Sequence, residues 1–207
     1  MVIAVIAASG RSGQVFVKAA LEAGNKVRAG IRGHNPFQPN DNLQPFEGDA
    51  TDKKQLTKLF QGADAVVSLI GHVKGSPPNI QTEAIKNVVQ TMEQLGIKRL
   101  VSLTGTGARL PGDKITLIDR FLNLGVGIVD PSRVRDGRNH LEVLKQCKLD
   151  WTVIRVLKLQ NVSPGAYALK EHGPTKTYVG REEVARAILE VLEGKSFIKQ
   201  APIISRV

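Results

Sequence analysis

Short apolar runs alternate with longer amphipathic segments along this chain of 207 residues. The apolar runs predict β-strands at Val2 to Ile6, Lys26 to Ile31, Ala65 to Leu69, Arg99 to Leu103, Trp151 to Arg155 and Pro202 to Ser205. Strands that alternate with helices are typical of a parallel sheet that helices cover on both faces. The pattern therefore predicts an α/β fold built on a doubly wound parallel sheet.

Apolar positions that recur at helical spacing predict the helices between these strands. The predicted helices are Ser12 to Ala23, about Asp52 to Phe60, Ile80 to Leu95, Asp130-Pro131 to about Cys147, and about Arg181 to Leu192 before Gly194. Three stretches rich in Gly, Pro and Asn are predicted to be irregular: Gly33 to Leu43, His72 to Asn79 and Leu157 to Lys176. Ligands of open α/β sheets lie beyond the carboxyl ends of the strands, where such loops gather.

The loop between the first strand and the first helix reads Ala7-Ala8-Ser9-Gly10-Arg11-Ser12-Gly13. A glycine at position 10 lets a ligand approach the backbone, a glycine at position 13 lets the helix pack on the strand, and free N–H groups of the first helical turn face phosphates. We therefore predict a dinucleotide site with contacts from Ala8, Ser9, Gly10, Arg11, Ser12 and Gly13. Ala7 replaces the usual first glycine. The alternative is an ordinary tight turn.

Arg32 stands at the end of the second strand, where a site for NAD places an acidic side chain against the ribose hydroxyls. Arg11 in the glycine loop, with Arg28 and His34 nearby, adds positive charge. Guanidinium groups pair with phosphate oxygens in a bidentate manner, so this charge favours the 2′-phosphate of NADP over NAD. The alternative is a solvated arginine at the edge of the sheet.

Further coenzyme contacts are predicted after the later strands. Asp49 and Ala50 would meet the adenine, although Asp49 could equally belong to the cap of the following helix. The chain should pass close to the pyrophosphate and the nicotinamide ribose at Ile70, Gly71, His72, Thr104 and Gly105. Glycines permit that close approach, and they also occur in ordinary loops.

Composition limits the alternatives. A chain of this length with 42% hydrophobic residues fits a single domain, 1–207. The net charge of +10 comes from scattered Lys and Arg, which predicts a solvated surface and a phosphate pocket rather than nucleic-acid binding. Cys147 is the single cysteine, so an internal disulfide is excluded and a reducing compartment, the cytoplasm, is expected. The first apolar run is too short to cross a bilayer, so no membrane partner is expected. His34, His72, His140 and His172 lack metal-ligand spacing, and no metal is expected. The oligomeric state stays open.

Several segments together resemble the atypical short-chain dehydrogenases of the NAD(P)H-binding, NmrA-like group. They are the glycine loop, Gly48-Asp49-Ala50, Asp64 to Val67, Asp150 to Arg155 and Val179 to Ala185. Within that group the chain is most similar to the flavin reductase and biliverdin-IXβ reductase type, in length and in Pro164-Gly165-Ala166-Tyr167 leading to Gly173-Pro174. The resemblance spans nearly the whole chain and implies a Rossmann-like fold with a nicotinamide coenzyme.

The chain departs from the catalytic pattern of these families. Typical short-chain dehydrogenases carry Tyr-x-x-x-Lys, and Val134 to Arg138 occupies that place here, while neither Tyr167 nor Tyr178 has a lysine four residues later. Flavin reductases of this type place a serine after the strand that matches Arg99 to Leu103, and it corresponds to Gly105 here; their histidine after the next strand, Trp151 to Arg155, corresponds to Lys158.

These departures argue against carbonyl reduction, which needs a tuned acid beside the oxygen. Flavins, quinones and tetrapyrroles delocalise the incoming charge, so we expect an NADPH-dependent reductase of such a small-molecule acceptor. Thr104 and Thr106 would orient it, Lys158 would face it, and Arg138 would hold the coenzyme ribose or an anionic group. Each of these four side chains could instead be an ordinary loop or surface residue. The competing hypothesis is an NADP(H)-binding sensor without turnover, and a third is a basic nucleic-acid-binding module.

Overall fold

A sheet of eight strands forms the centre of the structure, a computed structural model that describes residues 1–110, 112–113, 130–171 and 176–207. The strands of this sheet are β1 (Val2–Ile6), β2 (Lys26–Ile31), β3 (Leu43–Glu47), β4 (Ala65–Ser68), β5 (Arg99–Gly105), β6 (Asp150–Val156), β8 (Tyr167–Lys170) and β10 (Ile203–Arg206). A second small sheet pairs β7 (Leu159–Gln160) with β9 (Val179–Gly180).

The strand order is β3-β2-β1-β4-β5-β6-β10-β8. All neighbours run parallel except β8, which pairs antiparallel with β10. The chain moves outward in one direction from β1 to β3 and in the other from β4 to β6. This is the Rossmann-type, doubly wound order, in which a crevice opens at the carboxyl ends of β1 and β4.

The helices are α1 (Arg11–Glu22), α2 (Lys53–Phe60), α3 (Ile80–Leu95), α4 (Pro131–Lys145) and α5 (Arg181–Glu193). Successive residues of a strand point to opposite faces of a sheet. Ile3 and Val5 accordingly join a core with α1 and α5, while Ala4 and Ile6 join a second core with α2, α3 and α4. Among the described residues, no helix is long and apolar enough to cross a membrane.

The predicted elements agree with the structure to within one or two residues at most ends. The structure adds the bounds of β3, which the sequence does not mark, because only two of its five positions are even partly buried and Pro45 interrupts the strand pattern. It also corrects the irregular stretch predicted for Leu157 to Lys176, which contains β7 and β8, both too short or too exposed to show a period. His172, Gly173 and Pro174 lie outside the described residues.

Candidate functional site

A cleft of about 600 Å³ opens at the carboxyl ends of the parallel strands. It extends from the loop after β1 to the segments after β5 and β6. Most of the site residues predicted from the sequence line it: Ser9, Gly10, Arg11, Ser12, Arg32, Asp49, Ala50, Ile70, Gly71, His72, Thr104, Gly105 and Thr106. The topology thus brings together residues from five separate loops.

The glycine loop turns sharply at Ala7, which has a φ of 59°. This left-handed conformation suits glycine and strains a residue with a Cβ, which explains why a glycine is usual at this position. The turn is closed by a hydrogen bond of 3.0 Å from the Gly10 N–H to the Ala7 carbonyl. The Ala8 N–H donates to the Gly30 carbonyl at 3.0 Å, so the loop is also fixed to β2.

The two later glycines of the loop have different roles. A Cβ at Gly13 would lie 2.2 Å from the Ala7 carbonyl oxygen and 2.5 Å from that of Ala8, so α1 rests directly on the end of β1. A Cβ at Gly10 would lie 3.2 Å from the Ala7 oxygen, and Gly10 lines the cleft. Ala8 and Gly13 are buried and are not among the residues that line the cleft, so they support the loop from below.

The first turn of α1 presents free donors at the cleft. Gly10 caps the helix without a side chain, and its carbonyl accepts the first helical bond from the Gln14 N–H at 2.9 Å. Within the described ranges, the N–H groups of Arg11, Ser12 and Gly13 make no hydrogen bond to the chain. Unpaired N–H groups at a helix N-terminus form an anion site, and this turn contains no acidic side chain that would compete.

Arg32 extends from the end of β2, and its side chain is 64% exposed. Its Nη1 lies 3.3 Å from Oδ2 of Asp49. The other carboxylate oxygen of Asp49 accepts hydrogen bonds from the N–H and the hydroxyl of Thr51, at 2.9 and 2.8 Å. The N–H of Thr51, with smaller contributions from its hydroxyl and from Arg32, lowers the pKa of Asp49. Arg32 therefore keeps most of its donors free at the cleft.

The helix cap that the sequence left open for Asp49 belongs to Asp52. Its carboxylate accepts from the N–H groups of Lys54 and Gln55 at the start of α2, at 2.8 and 3.3 Å. Asp49 lies before this cap and lines the cleft. The carboxylate of Asp49 is thus available to a ligand as well as to Arg32.

Two further basic residues near the predicted phosphate site do not line the cleft. Arg28 donates to the carbonyls of Leu59 and Lys58 at the end of α2, at 2.8 and 2.6 Å, and its guanidinium lies 4.2 Å from the centre of the Phe46 ring. His34 is exposed on the loop after β2. Of the four basic residues considered, Arg11 and Arg32 line the cleft.

A buried carboxylate that sequence analysis missed lies beside His72. Asp136 of α4 is 1% exposed at its side chain, and its Oδ2 is 2.9 Å from Nε2 of His72. It also accepts from the N–H groups of Gln81 and Thr82, both at 2.9 Å, and from the Thr82 hydroxyl. Asn79, the local N-cap of α3, makes no side-chain bond, so Asp136 caps α3 from another helix. Asp136 therefore holds His72, α3 and α4 together at one wall of the cleft.

The predicted acceptor-side residues divide into two groups. Thr104 and Thr106 line the cleft but are only 3% and 1% exposed. A Cβ at Gly137 would lie 2.6 Å from the Thr104 hydroxyl, so α4 covers that group. Lys158 and Arg138 are not among the cleft-lining residues, and Arg138 instead borders a shallow depression on α4. The roles predicted for these four side chains stay predictions.

Val134, at the place where the resemblance would put the tyrosine of Tyr-x-x-x-Lys, lines the cleft. An aliphatic side chain has no proton to exchange. α4 thus lines the cleft with Arg133, Val134 and Gly137, and Val134 offers a hydrophobic contact at the place of the tyrosine.

Arg181, the first residue of α5, also lines the cleft and was missed by sequence analysis. It is 9% exposed, and its Nη1 donates to Oδ1 of Asn161 at 2.7 Å. Burial lowers the pKa of Arg181, and the nearby positive charge of Arg11 lowers it further. The only sequence signal was a basic residue that opens a predicted helix, which is common on any surface.

The family model described as NAD(P)H-binding matches residues 7–195. A short-chain dehydrogenase/reductase from Veillonella parvula, solved in complex with NADP, has a TM-score of 0.77 and 18% identity, with 99% of this chain and 94% of that chain covered. ChuY, an anaerobillin reductase from Escherichia coli, has a TM-score of 0.77 and 20% identity, with 100% and 97% covered. The oxidoreductase ylbE from Lactococcus lactis has a TM-score of 0.81 and 17% identity, with 100% and 91% covered. These likenesses confirm the predicted α/β fold.

Proposed function

Because this chain belongs to the NAD(P)H-binding family, we propose that it is an NADPH-dependent reductase of a planar electron acceptor such as a flavin, a quinone or a tetrapyrrole. The observation that carries the proposal is one cleft in which the glycine loop and Arg32 lie at one end, while Val134 stands near the end of β5 at the place of a catalytic tyrosine. The predicted class of coenzyme, a nicotinamide dinucleotide, agrees with the family.

The choice of NADPH rests on charge at the end of β2. Arg32 takes the position of the acidic residue that would bind the ribose hydroxyls of NAD, and it lines the cleft with most of its donors free. Arg11 adds a second guanidinium in the glycine loop. The neighbour from Veillonella parvula that was solved with NADP supports the same choice.

The class of acceptor rests on the wall opposite the glycine loop. Val134 replaces the acid that a carbonyl reductase needs beside the developing alkoxide. A conjugated ring spreads the negative charge itself, so the protein mainly has to hold the ring against the nicotinamide. ChuY is described as an anaerobillin reductase, and the resemblance to flavin and biliverdin-IXβ reductases supports the same class of acceptor.

We assign proton supply to His72. Asp136 binds Nε2 of His72 at 2.9 Å, which fixes the orientation of the ring. A coenzyme bound in the cleft would supply two electrons as a hydride. His72 would donate a proton to a ring atom of the acceptor and recover one from solvent, so the acceptor gains one hydride and one proton.

The test mixes purified protein with NADPH and one acceptor at a time, and follows the absorbance of the reduced coenzyme. FMN, riboflavin, a quinone and biliverdin form the panel, and a simple aldehyde serves as the carbonyl control. We expect oxidation with at least one planar acceptor and none with the aldehyde. His72→Gln should slow turnover more than it weakens NADPH binding. Turnover of the aldehyde alone would overturn the proposal.

A non-catalytic NADP(H) sensor is the second candidate, and one observation favours it. Lys158 and Arg138 do not line the cleft, and α4 covers the Thr104 hydroxyl, so three of the four side chains predicted to act on the acceptor are covered or lie off the cleft. The same assay separates the two candidates, because a sensor binds NADPH tightly and passes its electrons to none of the acceptors.

A further inference from the structure

Two helices begin at the same cleft with a guanidinium at their first position. Arg11 opens α1 and Arg181 opens α5, and both side chains line the cleft. The two helices pack on the same face of the sheet. Each helix N-terminus carries partial positive charge, so two helix ends and two full charges meet at one place.

The environment of Arg181 is unusual for a buried arginine. The residue is 9% exposed, and Nε is buried without any hydrogen-bond partner among the described residues. Its one hydrogen bond in the described part of the chain goes to the neutral amide of Asn161. By contrast, the buried guanidinium of Arg155 pairs with the carboxylate of Asp113. Buried charges are normally paired, and no carboxylate among the described residues pairs with Arg181.

The nearest acidic side chains of α5 do not supply that anion. Glu183 is fully buried, but it binds Arg206 and accepts from the N–H groups of Gly165 and Gly180, both at 2.9 Å. Glu182 is exposed on the helix surface. Burial, and after it the positive charge of Arg11, lowers the pKa of Arg181, so the two guanidinium groups repel each other. A ligand with negative charge would remove that repulsion.

We propose that Arg11 and Arg181 together bind an oxyanion, a phosphate or a carboxylate, that bridges the glycine loop and the wall built after β6. Two sources carry this chemistry: the pyrophosphate of the coenzyme, or an anionic arm of the acceptor. Leu157 and Leu159 line the cleft on the Arg181 side, where the chain after β6 would contact an acceptor. The acceptor form of the inference rests on the proposed function, whereas the anion site itself does not.

Inorganic pyrophosphate is the first probe. Its affinity for the protein is measured by calorimetry and by the rise in unfolding temperature, in wild type, Arg181→Gln and Arg181→Lys. The neutral variant should bind about tenfold more weakly, the loss expected for one charge-assisted hydrogen bond, and the lysine variant should lie between. Arg186→Gln is the matched control, because Arg186 lies on the same helix, stacks on Tyr167 and does not line the cleft. An unchanged affinity in Arg181→Gln overturns the proposal.

The source is identified with paired ligands. FMN and riboflavin differ by one phosphate. If Arg181→Gln lowers the affinity for FMN but not for riboflavin or NADPH, the anion site belongs to the acceptor. A matching loss for NADPH and pyrophosphate assigns it to the coenzyme. If no acceptor is reduced while the pyrophosphate effect persists, the proposed function fails and the anion site stands. If Arg181→Gln does not fold, Arg11→Gln replaces it in the test, because Arg11 is exposed and its loss should not prevent folding. An unchanged pyrophosphate affinity in Arg11→Gln would equally overturn the proposal.

Discussion

Replacing Arg32 by alanine should remove the preference for NADPH over NADH. Among the described basic residues of β2 and the loop after it, Arg32 lines the cleft. Only one of its nitrogens makes a hydrogen bond, with Asp49 at 3.3 Å. A 2′-phosphate placed there would accept hydrogen bonds from the remaining donors. NADH carries a hydroxyl at that position and gains little from the guanidinium.

The expected size follows from the exposure of the side chain. A hydrogen bond to a charged partner contributes about 1.5–3 kcal/mol. Because Arg32 is 64% exposed, water competes for it, and the lower end applies. The variant should therefore bind NADPH about tenfold more weakly, since about 1.4 kcal/mol is a factor of ten. Asp49 then loses its partner and repels the phosphate, so adding Asp49→Asn should restore part of the affinity.

Fluorescence titrations of NADPH and NADH into wild type and variant measure the selectivity directly. His34→Ala is the matched control, because His34 lies on the same loop, is exposed and does not line the cleft. Its selectivity should stay at the wild-type value. An equal loss for both coenzymes, or no loss for NADPH, would refute the role assigned to Arg32.

Three further predictions concern stability and the support of the site. Gly13→Ala should abolish stable folding, or lower the free energy of unfolding in urea by at least about 3 kcal/mol, because its Cβ would overlap backbone oxygens. Gly10→Ala should keep the fold and lose coenzyme affinity. Equal urea midpoints for the two variants would contradict this prediction. Burial lowers the pKa of His140 from 6.5 to about 4. Between those two pH values His140 binds a proton in the unfolded chain but not in the native protein. The free energy of unfolding should therefore fall by up to about 3 kcal/mol from pH 7 to pH 4. His140→Gln should make the free energy of unfolding less dependent on pH. Asp136→Asn should lower the free energy of unfolding by about 2 kcal/mol, because the carboxylate binds four hydrogen-bonding groups. A urea midpoint equal to that of wild type would contradict this role of Asp136.

The elements of the fold were predictable because their signals are local. Val2–Ile6 and Ile80–Leu95 have the predicted bounds, since buried strands and amphipathic helices write their period into consecutive residues. The glycine loop was equally readable, because Gly13 must lack a side chain wherever this turn occurs. The bounds of β3 could not be predicted because the strand is mostly exposed and contains Pro45, so neither burial nor propensity marks them.

Residues of the candidate site were predictable only where a single loop lines the cleft without help from a distant segment. His72 and Asp136 are 64 residues apart, and nothing in either segment indicates that they meet. Arg181 depends in the same way on how α5 packs beside α1. Conversely, Arg28 and Lys158 have a suitable position in the sequence, but the structure directs Arg28 to the end of α2 and leaves Lys158 off the cleft. Side-chain direction is a tertiary property that spacing alone does not encode.

The cap that Asp136 places on α3 couples the start of that helix to the docking of α4. The N–H groups of Gln81 and Thr82 bind a carboxylate 55 and 54 residues further along the chain, so two donors of the first turn of α3 depend on a second helix. This wall of the cleft is therefore complete only when α4 has docked, and a substitution that loosens α4 should also loosen the start of α3.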